Sequence, residues 1–188
     1  MCRAAPGVVP ELFQRRVRVS ATRHGAVHLA DGGVLSGPAI ATGLAGAQEV
    51  VALAVTIGPR LEQLISATVG TEPALALALE AVATATVAAV ATEAIRRIGA
   101  DALAAGLRAG TPLSPGMIGW PLAAGQRQLF RLLRSTGCGI TLSDQAVMRP
   151  RFALSFAVGL GEDLAPARLL CDSCGSRPGC RHRPEGVP

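Results

Sequence analysis

Between positions 50 and 57 the chain reads VVALAVTI, a continuous apolar run closed by Gly58 and Pro59. Its length and β-branched content predict a strand buried on both faces, although apolar continuity alone also suits a piece of buried helix. Later in the chain Phe152, Leu154, Phe156 and Val158 alternate with smaller residues, which predicts another strand over 151–160. Val17, Val19, Val27 and Leu29 flank a polar centre at 22–25. This is the pattern of a hairpin or two edge strands, followed by a turn at Asp31, Gly32 and Gly33. A short strand is also expected over 140–142.

Helical spacing organises the remaining apolar positions. Pro38 opens a short small-residue helix within 36–47, and Pro59 precedes Leu61, Leu64, Ile65 and Val69 at intervals of three and four. Thr71 is placed as an N-cap, with Glu72 and Pro73 in the first turn of a long helix. That helix is expected to run to Ile98 and stop at Gly99, with Arg96 and Arg97 at its negative end. A separate short helix is expected over 101–108, then a loop over 110–119. Another helix over 121–134 should turn Leu122, Leu129, Phe130, Leu132 and Leu133 inward and Arg127, Arg131 and Arg134 outward. The stretch 73–91 is apolar enough to raise a membrane-spanning reading. Glu80, Thr84, Thr86 and the many alanines argue instead for a buried core helix. Strands and helices that do not alternate strictly give an α+β fold. The expected architecture is a single domain, in which a small mixed or antiparallel sheet packs on a long alanine-rich helix and several shorter ones. Composition shifts after position 160, dividing the chain into a domain at 1–160 and a cysteine-containing C-terminal tail at 161–188.

Charge changes this picture little. The 188 residues carry a formal net charge of +5, and with no lysine in the chain all 18 basic residues are arginine. Aromatic residues are only 3%, too few for a base-stacking surface, so no nucleic-acid partner is expected. No membrane partner is expected either. An odd number of cysteines clustered near the C-terminus, with no apolar leader at 1–10, fits a cytoplasmic protein better than a disulfide framework.

Candidate chemistry is concentrated in two places. Neither GxGxxG nor GxxxxGK[ST] occurs, and no residue stands out as a general acid, base or nucleophile, so no catalytic residue is assigned. His24 and His28 are four apart, and in a strand they would share a face, although exposed hairpin residues of this kind are ordinarily just solvated. The stretch Ser114, Pro115, Gly116, Met117, Ile118, Gly119, Trp120 and Pro121 combines glycines that permit close backbone approach with stiffening prolines and the only tryptophan. Its indole can either present a face to a flat or cationic group or plug the core beneath a rigid turn. In the tail, Cys171, Cys174, Cys180 and His182 have metal-ligand spacing. Three thiolates and an imidazole match structural zinc, three thiolates with an open corner suit an iron–sulfur cluster, and free thiols are the alternative.

These motifs, in this order, resemble the activation domain of vitamin B12 (cobalamin)-dependent methionine synthase and its stand-alone relatives. The 114–122 stretch is similar to an SPGYGDWPL-like loop, and Gln126, Leu129, Phe130, Leu132 and Leu133 to a following QxxLFxLL helix. Residues 139–155 are similar to GVxLTxSxMMxPxKSxS, and Cys171, Cys174, Cys180 and Arg183 to a CxxC…CxxR ending. Met117 stands at the tyrosine of the loop and Gly119 at its acidic residue. The resemblance implies an accessory protein in a methyltransferase system of methionine biosynthesis, rather than an enzyme alone. It would bind S-adenosylmethionine and dock on the corrinoid domain of a split methionine synthase or other corrinoid methyltransferase. Cobalamin on that partner would be reductively methylated, with an electron-donor protein supplying the electron. By this resemblance Ser114, Pro115, Gly116, Met117, Gly119, Trp120 and Pro121 hold the S-adenosylmethionine. The alternative is a metal- or iron–sulfur-binding redox or sensor module on the same scaffold, without methyl-donor binding.

Overall fold

The computed structural model describes residues 8–164. Its elements run β1 (Glu11–Arg23), β2 (Ala26–Leu29), β3 (Val34–Ser36), α1 (Pro38–Gly43), β4 (Glu49–Thr56), α2 (Arg60–Thr68), α3 (Pro73–Ala104) and β5 (Arg108–Ala109). Then follow α4 (Leu122–Leu133), β6 (Thr141–Leu142), β7 (Met148–Arg149) and β8 (Ala153–Gly161). Six strands form one antiparallel sheet in the order β3-β2-β1-β4-β8-β5, and β6 and β7 make a separate two-stranded ribbon. The architecture is α+β, with helices on both faces of the sheet.

The central strands explain the layering. Along β4, Val51, Leu53 and Val55 join the core beneath α2 and α3, whereas Val50, Ala52 and Ala54 join the core beneath α1 and α4. The run VVALAVTI is continuous because both of its faces are covered. On β8 the large residues Phe156, Val158 and Leu160 face α3, and Ala153 and Ala157 face the other layer. Small side chains on that second face let its cover pack close: Ser155 Oγ meets Gln126 of α4, and Leu44 and Ala47 lie over Gly159. The 113–120 loop meets β8 at the sheet edge instead, through backbone bonds between Leu113 and Ala157.

Several expectations are corrected. The first strand begins at Glu11 rather than near Val17: residues 11–18 pair with β4, and after an irregularity between Val19 and Ala21 the strand continues against β2. Gln14, Arg15 and Arg16 hide the alternation in the sequence. His24 lies in the hairpin turn with Gly25, both at positive φ (52° and 73°), the geometry of a type I′ turn. The two histidines therefore do not share a strand face.

The long helix starts one residue later than expected, with Glu72 as N-cap and Pro73 first in the helix. It runs through Gly99 to Ala104, absorbing the separate helix expected over 101–108. The stop is Gly106 at φ 75°. Leu107 N donates to Ala102 O at 2.8 Å and Gly106 N to Leu103 O at 3.0 Å, the paired bonds of a Schellman cap. α3 is also not the buried spine expected. A stripe of Ala76, Ala83, Val87, Ala91, Ala94, Ile98 and Ala102 meets the sheet, but only 22% of its most apolar 18-residue window is buried. Leu77 and Leu103 are 72% and 70% exposed. Length and composition alone would allow α3 to cross a membrane. Packing of its small-residue stripe on β4 and β8 is the role seen here. In α4, Leu129, Phe130, Leu132 and Leu133 are buried as expected, but Leu122 is 49% exposed.

Candidate functional site

The 114–121 loop is built to hold one shape. Leu113 exchanges both backbone bonds with Ala157 at 2.8 Å, which anchors the loop on β8. Ser114 Oγ donates to Ser155 O at 3.2 Å, and Ser114 N points at Met117 Sδ at 3.1 Å. The turn then closes on itself. Gly116 N donates to Trp120 O, Met117 N to Ser114 O and Trp120 N to Met117 O, at 2.9–3.2 Å. From the far side Ala39 N, at the start of α1, donates to Gly119 O at 3.1 Å.

Trp120 is 0% exposed. Of the alternatives for its indole, the core plug is the one adopted. Its Nε1 donates to Gln128 Oε1 at 3.2 Å. Gln128 also accepts from Ser36 N at 3.1 Å and donates to Ser36 Oγ at 2.8 Å, tying loop, α4 and β3 together. Gly125 makes the plug possible: a Cβ there would lie 2.9 Å from both Pro115 Cβ and Trp120 Cε2. Gln126, buried one position along, accepts from Ser155 Oγ at 3.0 Å. The glutamines of the QxxLFxLL-like helix therefore act as struts for the loop.

In front of the loop lies a cleft of about 430 Å³, walled by α1, by the segment after β5 and by the loop itself. Small-molecule sites ordinarily fall in this size range, from about 300 to 1,000 Å³. Ala39, Thr42, Gly43, Ala45, Gly110, Thr111, Leu113, Met117, Ile118 and Leu164 line it; Leu113 and Leu164 are buried, whereas Thr42, Ala45 and Ile118 are exposed. Among the loop residues expected to hold a ligand, Met117 lines this cleft. Ser114, Pro115, Gly116, Gly119, Trp120 and Pro121 stand behind or beside it and set the course of its wall. Ile118, within the loop expected to hold a ligand, is 81% exposed at the cleft, and sequence reasoning missed every residue contributed by α1. No periodic signal marks those positions, because the cleft is assembled from segments far apart in the chain.

Among the described residues the lining contains no ionisable side chain. Its hydroxyls belong to Thr42, which donates to Pro38 O at 3.0 Å, and to Thr111. An apolar wall with a thioether, hydroxyls and nearby backbone carbonyls suits a neutral nucleoside-like body. Charged ends of a ligand would find no ionic partner in this lining and would have to lie towards solvent.

No group of three or more metal-binding side chains occurs among the described residues. The zinc or iron–sulfur ligands expected at Cys171, Cys174, Cys180 and His182 lie outside the described residues. Cys138 is the free cysteine within them, and burial is the main cause that pushes its thiol pKa up.

Among solved structures, a crystal structure of the MetH reactivation domain bound to AdoHcy matches at a TM-score of 0.67 and 15% identity. The match covers 89% of this chain and 64% of that one. This chain has the reactivation-domain fold. It spans less than two thirds of the length of that domain, and at this identity the likeness is one of fold. No family model matches the chain, and no curated protein matches it. The reactivation-domain fold accounts for the α+β class, and the cleft in front of the 114–121 loop is its candidate site.

Proposed function

We propose that this protein binds an S-adenosyl ligand in the Met117–Ile118 cleft and acts as an accessory for reactivating a cobalamin-dependent methyltransferase. The observation that carries the reading is a ligand-sized cleft, walled by the locked loop, on the fold of a domain whose structure was solved with AdoHcy bound. The lining fits the adenosyl part by size and polarity. The methionine-derived end, with its ammonium and carboxylate, is expected to sit at the open mouth beside Ile118. When bound, S-adenosylmethionine would supply the methyl group.

This chain's residues orient the ligand and exclude water from one side of it: Leu113 and Met117 give an apolar wall, and Thr42 and Thr111 offer oxygens. None of them is placed to act as acid, base or nucleophile. That suits a domain that presents a methyl donor while the cobalt of a partner carries the difficult chemistry. Docking on a corrinoid domain of a split methionine synthase or another corrinoid methyltransferase completes the proposal, with an electron from a separate donor protein.

Calorimetric titration with S-adenosylmethionine and with AdoHcy tests the first half. Binding should raise the melting temperature, as any ligand that prefers the folded state must. Ala45→Phe, at an exposed position lining the cleft, should abolish binding without lowering the ligand-free melting temperature. No heat and no melting shift at millimolar concentration of either ligand would defeat the reading. Docking is tested by restoring turnover to a cobalamin-dependent methionine synthase that lacks its own reactivation domain and has been oxidised to the cob(II)alamin state.

A further inference from the structure

A second cavity, of about 620 Å³, lies along the outer face of α4 and is closed on its other side by residues 140–144. It shares no lining residue with the cleft described above. Phe130, Ile140 and Leu142 contribute apolar surface, and Arg127, Arg131 and Arg134 stand along its helical wall. The arginines are spaced at i, i+4 and i+7, so they share one face and span about 10 Å of helix axis.

What sets this groove apart is that three arginines without a carboxylate partner line one cavity; Arg18, Arg23, Arg60 and Arg108 have no ion pair among the described residues either, but none of them lines it. Arg15, Arg16, Arg96, Arg97, Arg149 and Arg151 each lie against a carboxylate. Arg127 donates to the backbone carbonyl of Asp144, which pins the 143–147 turn to the helix, and no carboxylate among the described residues neutralises it. Arg131 and Arg134 have no carboxylate partner among the described residues either. Among the described residues, the opposing charges in the lining are the Asp144 carboxylate and the negative end of α4. Against the guanidinium groups they leave a local charge of about +1.5. Neighbouring like charges on one helix face repel one another, so an anion seated between them relieves a cost already present in the free protein.

We propose that this groove binds an organic phosphate ester. The phosphate would sit between Arg131 and Arg134 within reach of the Thr141 hydroxyl, and the organic part would lie over Phe130 and Leu142. Adjacent guanidinium forks suit the several oxygens of a phosphate dianion, whereas one carboxylate is satisfied by one fork. The cavity is too large for a bare phosphate and has an apolar floor, which is why an ester is inferred rather than the inorganic ion.

The probe is phenyl phosphate, which carries no adenosine and so does not report on the S-adenosyl cleft. Calorimetry and thermal melting should show phenyl phosphate binding at least about tenfold more tightly than inorganic phosphate. The doubly substituted Arg131→Gln, Arg134→Gln protein should lose about tenfold or more, the scale of a lost charge-assisted bond. Both positions are exposed, and an unchanged circular dichroism melt of the variant confirms that it folds. Absence of binding by phenyl phosphate at about 5 mM, where a relevant ligand must shift the melt, overturns the proposal. So does binding that is unchanged in the double variant. If a polyglutamate peptide binds through the same arginines while phenyl phosphate does not, the groove is a docking surface for an acidic protein and the phosphate assignment is wrong.

Discussion

Trp120 and Gly125 show how a single contact decides what a motif does. The indole is sealed in the core because α4 offers no Cβ at position 125 and because Gln128 satisfies Nε1. Gly125→Ala should therefore destabilise the protein by about 1–3 kcal/mol, the usual cost of forcing a methyl group into filled space. Trp120→Ala should cost about 3–5 kcal/mol through the cavity it leaves. Chemical denaturation measures both, and a Gly125→Ala protein as stable as wild type would mean that the loop yields easily. Because Trp120 touches the cleft only through the backbone it supports, S-adenosyl affinity in Trp120→Phe should fall much less than in Ala45→Phe. Glu93 offers a separate test at this scale. Hydrogen bonds from Arg96 at 2.8 and 2.9 Å and from Arg97 at 2.7 Å lower its carboxyl pKa from 4.5 to about 2. A depressed carboxylate contributes its stabilisation fully above its unfolded pKa and loses it as pH falls through the folded one, so this contribution fades between pH 4.5 and about 2. A carbon-13 titration of the Glu93 carboxyl should find that midpoint, and Arg96→Gln should move it upward.

The elements combine local signals with decisions made by packing. α3 passes through Gly99 because its other residues favour helix and because the backbone turns only at Gly106, where the Schellman bonds form. A Cβ at Gly99 would meet nothing within 4 Å. Gly99→Ala should accordingly stabilise the protein by about 0.5–1 kcal/mol, the difference in helix propensity, seen as a raised melting temperature. Ala83, fully buried against the sheet, behaves oppositely: Ala83→Leu should destabilise by about 1–3 kcal/mol. Leu77→Ala on the open side should be close to neutral. The three substitutions together test which face of α3 meets the sheet. Helical periodicity could not identify that face, because leucines and alanines alternate along the first turns, and there Leu75, Leu77 and Val82 turned out to be exposed while Ala76 and Ala83 are buried.

At the scale of the whole molecule, the sheet's two faces do different work. The α3 side is filled by Phe156, Val158, Leu160 and the large residues of β4. The other side keeps small residues on β8, so α4 and the end of α1 pack close to it, and the 113–120 loop, held at the edge of β8 by Leu113, presents Met117 and Ile118 to the cleft. The expected consequence is that ligand binding stabilises the fold as a unit. Saturating AdoHcy should raise the wild-type melting temperature and leave that of Ala45→Phe unmoved.

The α+β class, β4, β8, α2, α4 and the start of α3 were legible in the sequence, because each rests on local apolar pattern or on the fixed backbone preferences of proline and glycine. So was the stiffness of the 114–121 loop, whose density of glycine and proline is itself a local property. The cleft was not legible. Ala39, Thr42, Ala45 and Thr111 are ordinary residues that become a wall only when α1 and the segment after β5 are brought against the loop. The extension of β1 back to Glu11 was also hidden, since Arg15 spends its charge on Asp31 and on Leu132 O and so reads as polar while lying along the sheet. By itself the sequence determined the central strands β4 and β8, the helices α2 and α4, and where the chain would stiffen. Only the tertiary structure decided that the tryptophan is sealed, which stripe of α3 is buried, and where a ligand could enter, because these depend on long-range contacts that no local pattern encodes.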